Sequence, residues 1–125
     1  MDMPATHFYE PDKGHRLPHS PLKAIVAPRP IGWISTIDEA GRVNLAPYSF
    51  FNAVCESPPI VYFSSKGRKD SLRNAQRTGE FVANLVTEDL AFAMNESAAE
   101  VAPGVDEMAL AGLEPAPSTL VRPPR

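Results

Sequence analysis

The 125-residue sequence is poor in the features that would place it outside a reducing, aqueous compartment. It has one cysteine, Cys55, so no internal disulfide can form. No apolar run approaches the ~18 residues of a membrane span, and the N-terminal "MDMPATHFYEPDKGHR" has no apolar core of a signal peptide. The expectation is a cytoplasmic protein with no membrane partner. Three histidines and one cysteine are a thin inventory for a metal site. His15 and His19 stand four apart, but Gly14 and Pro18 disfavour the helix that would align them, so no metal is expected. There is no Walker loop and no GxGxxG, which leaves ATP and Rossmann dinucleotide readings without support. There is no internal repeat or low-complexity tract. From Thr87 to Val121 there is no Lys or Arg at all, against seven Asp or Glu.

What is present is ordinary in bulk and uneven in detail. Hydrophobic content of 43% and charged content of 22% fit one globular domain with a modest core. The net charge is -3, yet "KGRKDSLRNAQR", residues 66–77, holds five Lys or Arg against one Asp. That segment is locally +4 and the remainder of the chain is -7. A compact basic cluster on an acidic chain suits a small anionic ligand better than a long nucleic acid, and it suits a solvated helix face equally well.

The chain reads as mainly β with peripheral helices. Residues 1–21 are Pro-rich and mixed in charge, an irregular arm before a domain at 22–125. Strands are expected at Ala24–Ala27 and Gly32–Ile37, separated by "PRP". "DEAGR" supplies a turn in which Gly41 suits positive φ. The next strand runs from Val43 to Val54 with a break near Pro47, and "IVYFSS", residues 60–65, is a short apolar β run of barrel-interior type. Asp70 or Ser71 can cap a helix to Arg77 that Gly79 stops. "FVANLV", residues 81–86, is another strand. Thr87 can cap a second helix with Leu90, Met94, Ala98 and Val101 on one face, ended by Pro103 and Gly104. "DEMALAGL" is a marginal helical turn and "EPAPSTLVRPPR" is extended, with "VRPPR" reading as the start of a further strand. The helices do not alternate with the strands, so a small barrel or curled sheet with outer helices fits better than a doubly wound fold.

Two stretches carry chemistry. In "SSKGRKDSLRN" hydroxyls, cations and the free amides of a helix N-terminus converge, which is equipment for holding a phosphate. In "NLAPYSFFN" a proline interrupts a strand and polar residues alternate with aromatics. Pro47 pushes its strand to an edge or bends it, freeing amides around Tyr48, Ser49 and Phe50 for a planar heterocycle. A barrel corner with Tyr48 and Phe50 in the core accounts for the same pattern.

"PRPIGWISTIDEAGRVNLAPYSFFNAVCESPPIVYFSS" followed by "KDSLRNAQRTGEFVANLV" resembles the flavin reductase-like domain family of the FMN-binding split-barrel superfamily. The resemblance covers Leu22 to Leu113. It implies an FMN-binding split β-barrel, here truncated at the C-terminus, that is homodimeric and reduces flavin with NADH or NADPH. It implies that Ser35 and Thr36 lie along the ribityl-phosphate, and that Ala46, Tyr48, Ser49, Phe50 and Asn52 line the isoalloxazine. Ser64, Ser65, Lys69 and Ser71 would then take the phosphate, supported by Arg73 or Arg68. No side chain need act as acid or base, since the family passes hydride from nicotinamide to flavin. The partners implied are flavin, a nicotinamide nucleotide, a second copy, and a monooxygenase that takes the reduced flavin. A flavoredoxin-like electron carrier without nicotinamide turnover is the alternative, and a small barrel binding single-stranded nucleic acid is the third reading. Loss of the later strands is expected to leave Ile34, Val61 and Leu85 poorly covered.

Overall fold

A computed structural model describes residues 5–102 and 104–125. Pro103, read above as a helix stop, lies outside the described residues, as do residues 1–4. The centre of the molecule is strand β1 (Gly32–Ile37), every residue of which is buried. It is the middle strand of an antiparallel sheet in the order β2-β1-β5, with β2 at Val43–Tyr48 and β5 at Val82–Asn84. With a strand on each side and both faces covered, β1 reads as a continuous buried run rather than an alternating one.

The β1–β2 turn forms as "DEAGR" suggests. Asp38 Oδ1 accepts from the amides of Ala40 and Arg42 at 2.9 Å each, Asp38 Oδ2 accepts from Arg42 Nε at 2.6 Å, and Gly41 takes φ 82°. Hydrogen bonds from Arg42, first through its backbone, hold the Asp38 carboxyl below its ordinary pKa.

Register assigns the faces. Trp33, Ser35 and Ile37 stand opposite Pro47, Leu45 and Val43, while Gly32, Ile34 and Thr36 stand opposite Tyr48, Ala46 and Asn44. On the first face Trp33, Leu45 and Met108 form a core joined by Leu90, Met94 and Leu113, supplied by helix α3 (Ala91–Glu96), helix α4 (Glu107–Leu110) and their flanks. On the second face helix α2 (Asp70–Thr78) packs across β1 and β2. Beside it lies a separate hairpin of β3 (Phe51–Cys55) and β4 (Ile60–Phe63). Tyr48 and Phe63 meet in a tilted pair at 4.9 Å between centroids, and Phe63 meets Phe81 edge-on at 5.1 Å. Gly32 is required here: a Cβ on it would sit 2.5 Å from the Phe51 ring.

Several expectations need correction. Ala24–Ala27 is not a strand, because helix α1 occupies Pro21–Ile25 with Ser20 at its N-cap and Pro21 at N1. The strand break expected near Pro47 falls at Ser49–Phe50, while Pro47 itself pairs with Trp33 inside β2. Since β2 is an edge strand, the missing proline amide costs it nothing on its free side. The N-cap of α2 is Lys69, with no side-chain cap, rather than Asp70 or Ser71; Gly79 closes the helix at φ 73° as expected. The second helix stops at Glu96, short of Ala98 and Val101. "VRPPR" adds no strand. It folds back so that Ala116 and Arg125 exchange two backbone bonds of 2.8 Å, Pro123 is buried, and Pro124 O accepts from Ser35 Oγ at 2.5 Å.

Coverage is also uneven. Ile34 is fully buried, against expectation, because α2 packs across β1 on its face. Val61 and Leu85 are exposed, 43% and 82%, as are Val54, Ile60 and Tyr62. The "IVYF" strand is therefore not an interior one among the described residues. No helix among the described residues is long and apolar enough to cross a membrane.

Candidate functional site

A cleft of about 450 Å³ opens at the β2 edge, on the α2 face of the sheet. Its floor is the Asn44–Tyr48 part of β2. One wall is the start of α2, with Lys69, Asp70 and Ser71, and the opposite wall is the Ser97–Val101 segment that follows α3. The volume lies within the range of small-molecule and cofactor sites.

The α2 wall is built for negative charge. The first helical hydrogen bond runs from Arg73 N to Lys69 O at 3.1 Å, so the amides of Asp70, Ser71 and Leu72 have no partner within the helix. No side chain caps them, and the Lys69 ammonium is exposed beside them. Asp70 would repel an anion, but its Oδ1 is held in an ion pair by Arg73. The opposite wall carries the exposed Glu100, so the cleft is positive at one side and negative at the other.

Beneath the cleft lies a buried polar network. Asn44 Nδ2 donates to Ser71 Oγ at 2.8 Å and to Thr36 Oγ1 at 3.4 Å, and Asn74 Nδ2 donates to Thr36 Oγ1 at 3.2 Å. All four residues are buried. The network ties α2 to β1 and β2 and fixes where the helix N-terminus points, because a buried amide or hydroxyl left without a partner costs about 1–3 kcal/mol. The far wall is tied in by the protein's one tryptophan. Trp33 Nε1 donates to Ser97 Oγ at 2.8 Å, and Ser97 Oγ donates to Met94 O at 2.6 Å.

Glu107 secures the free edge of β2. Its Oε2 accepts from Leu45 N at 3.2 Å, capping an edge amide that would otherwise face no partner. Burial pushes the Glu107 carboxyl above its ordinary pKa; the Glu107 and Leu45 backbone amides oppose this, and Asp70 and Asp106 add to it. A second cleft of about 370 Å³ beside α2 is lined by Arg42, Arg73 and Arg77, which are paired with Asp38, Asp70 and Glu39 respectively.

The residues singled out in the sequence do not all meet. Ala46, Tyr48, Lys69 and Ser71 line the first cleft together. Ser35 is on the opposite face of β1, bound to the C-terminal segment, and Thr36 is closed off under α2 in the asparagine network. Period-2 alternation makes it impossible for both hydroxyls to face one ligand from a regular strand. Ser49 and Phe50 form the β2–β3 link; Asn52 is exposed and its Oδ1 accepts from Ala53 N at 2.8 Å. Ser64 N donates to Phe50 O at 2.9 Å and Ser65 Oγ to Gly67 O at 3.2 Å, both in the approach to α2. Arg73 faces the second cleft. The sequence reading missed Ser97 and Glu100, which no motif marked, and Glu107, where Asp106 before "EMAL" was a usable cap signal: its Oδ1 accepts from Met108 N at 2.9 Å.

Comparison with known proteins decides the family. The family model described as Flavin reductase like domain matches residues 26–125. The chain belongs to the flavin reductase-like domain family. A protein of Aquifex aeolicus is 43% identical over 106 residues, covering 81% of this chain and 54% of its own length. Among solved structures, nitrilotriacetate monooxygenase component B of Bacillus cereus superposes with a TM-score of 0.81 at 30% identity, over 98% of this chain and 63% of that one. Flavoredoxin of Desulfovibrio vulgaris (Miyazaki F) shares the fold with a TM-score of 0.74 at 21% identity, over 80% of this chain and 55% of its own. The fold is that of the split-barrel flavin reductases, mainly β with few helices. The chain spans about half the length of the curated relatives it matches.

The residues fit a phosphorylated flavin. One uncapped helix N-terminus with one lysine matches one phosphate, and the Ala46–Pro47–Tyr48 floor offers apolar surface beside it for a flat ring.

Proposed function

We propose that this chain is the FMN-binding part of an NAD(P)H:flavin reductase-like oxidoreductase. The observation that carries the reading is the meeting of the edge strand β2 with the uncapped N-terminus of α2 in one cleft, with Lys69 at its rim. Bound FMN would supply the two-electron redox chemistry. The chain's own groups do the rest. The amides of Asp70, Ser71 and Leu72, with Lys69, hold the phosphate, and Ser64 and Ser65 stand in the loop that leads to them. The floor at Ala46 and Tyr48 receives one face of the ring, and the Ser49–Phe50 link, outside the ladder of β2, offers backbone groups to its polar edge. Asn52, at the start of the following strand, is the remaining polar group of that edge. Ser35 and Thr36 act from beneath, by fixing the C-terminal segment and α2, and Arg73 acts by neutralising Asp70.

The exposed apolar residues of the β3–β4 hairpin, Val54, Ile60, Val61 and Tyr62, support a homodimer in which a second copy covers them. A cytoplasmic protein with NADH or NADPH as donor and a monooxygenase as acceptor completes the reading; the relative named as a monooxygenase component B supports that partner class. The fold shared with flavoredoxin keeps an electron carrier without nicotinamide turnover as the second reading. Oxidation of NADH or NADPH that depends on added FMN separates the two. Flavin binding without such turnover would favour the carrier.

A further inference from the structure

Arg29 packs on Phe50, in the β2–β3 link that the proposed function sets at the polar edge of the flavin ring. Its Nη1 donates to Lys23 O at 2.9 Å and to Val26 O at 2.5 Å, at the C-terminal end of α1. Its Cζ lies 5.2 Å from the centre of the Phe50 ring, in the β2–β3 link. Its Nε is buried with no acceptor among the described residues. No carboxylate among the described residues pairs with it, whereas Arg42, Arg73 and Arg122 are each paired with an acid within 3.1 Å. The guanidinium is half-buried and meets carbonyls and a π face rather than a carboxylate, so no partner among the described residues neutralises its charge, and partial removal from water lets that charge act over a longer range.

We infer that Arg29 is a positioning and electrostatic residue that makes this site prefer reduced over oxidised flavin. The inference rests on the FMN reading above. Adding two electrons and one proton to the neutral flavin ring leaves one net negative charge on it. A fixed cation beside the Ser49–Phe50 link stabilises that charge and does nothing comparable for the neutral oxidised ring, so it raises the bound flavin's two-electron midpoint potential. The same contacts hold the link in place, because α1, Arg29 and Phe50 form one stack. That second, purely structural role would change flavin affinity but would leave the preference between oxidation states as it was.

The test is the midpoint potential of FMN bound to the purified protein, set with dithionite against a reference dye, for wild type, Arg29→Lys and Arg29→Gln. Glutamine keeps donors for the α1 carbonyls and removes the charge. The expected result is that Arg29→Gln lowers the preference for reduced FMN about tenfold, read as a fall of about 30 mV, and that Arg29→Lys keeps at least half of the difference. An unchanged potential in Arg29→Gln, or an equal fall in Arg29→Lys, overturns the inference while leaving FMN binding intact. Failure of the wild type to take up FMN overturns the inference together with the reading it rests on. Should Arg29→Gln not fold, Arg29→His supplies the comparison within one protein: its potential should rise more steeply than that of wild type as pH falls and the imidazole gains charge. The absence of that extra slope contradicts the inference.

Discussion

Ser97→Ala probes how the core and the cleft are joined. Ser97 is 2% exposed and its hydroxyl is the acceptor for Trp33 Nε1, itself on a residue only 4% exposed. Alanine leaves the indole in place and removes its partner, so a buried N–H is stranded at a cost of about 1–3 kcal/mol. The bond from Ser97 Oγ to Met94 O is also lost, but it is a local back-bond at the end of α3 and adds little. For a domain of this size about 1 kcal/mol corresponds to roughly 4 °C in Tm, so a fall of about 4–12 °C is expected by circular dichroism. Trp33 is the one tryptophan, so its emission reports the same event directly and should shift to the red as the Ser97–Val101 wall loosens. FMN affinity should fall with it, since that wall lines the cleft. In a Trp33→Phe background the further cost of Ser97→Ala should shrink, giving a coupling of about 1 kcal/mol between the two positions. A Tm within about 1 °C of wild type with unaltered emission would refute the proposed link.

Three further changes test other parts. Lys69→Ala should weaken FMN by about 10- to 150-fold, the equivalent of one charge-assisted hydrogen bond of about 1.5–3 kcal/mol, and riboflavin by less than about threefold; equal losses on titration would remove Lys69 from the phosphate. Gly32→Ala places a Cβ 2.5 Å from the Phe51 ring and should cost about 1–3 kcal/mol in chemical denaturation, through displacement of the β3–β4 hairpin. Glu107→Gln keeps an acceptor for Leu45 N and removes a carboxyl whose folded-state pKa is raised by burial. A raised pKa means that the folded protein binds the proton more tightly, so this contribution is present below the ordinary carboxylate pKa and is lost as pH rises through the raised value. The variant should therefore gain stability relative to wild type as pH rises from the ordinary carboxylate range through the raised value, and parallel denaturation midpoints across that rise would contradict the assignment.

The sequence announced the local elements better than the way they come together. The β1–β2 hairpin followed from "DEAGR" and the flanking β-formers, and the end of α2 from Gly79. Ile25 and Val26 drew the first segment towards a strand because β-branched residues favour sheets, yet Ser-Pro at positions 20 and 21 is a helix start and tertiary context followed it. Pro47 was read as marking an edge or a bend in its strand; β2 is an edge strand, and which of the two applies depends on strand order, which is not a local property. In the site, Lys69 and Ser71 were legible because helix N-terminal chemistry is local. Asn44, Asn74 and Ser97 were not, since each matters through a partner 8 to 64 residues away. Ser35 and Thr36 were grouped as neighbours, and only the pleat separates them onto opposite faces.

The most direct test of the central claim is a titration of FMN into the purified, folded protein, followed by flavin absorbance and fluorescence and repeated with Lys69→Ala. Saturable binding with perturbed flavin bands, one FMN per chain, and a loss in the variant that riboflavin does not share would match the cleft at β2 and α2. A free-flavin spectrum at every concentration, in a protein with a cooperative thermal transition, would contradict it.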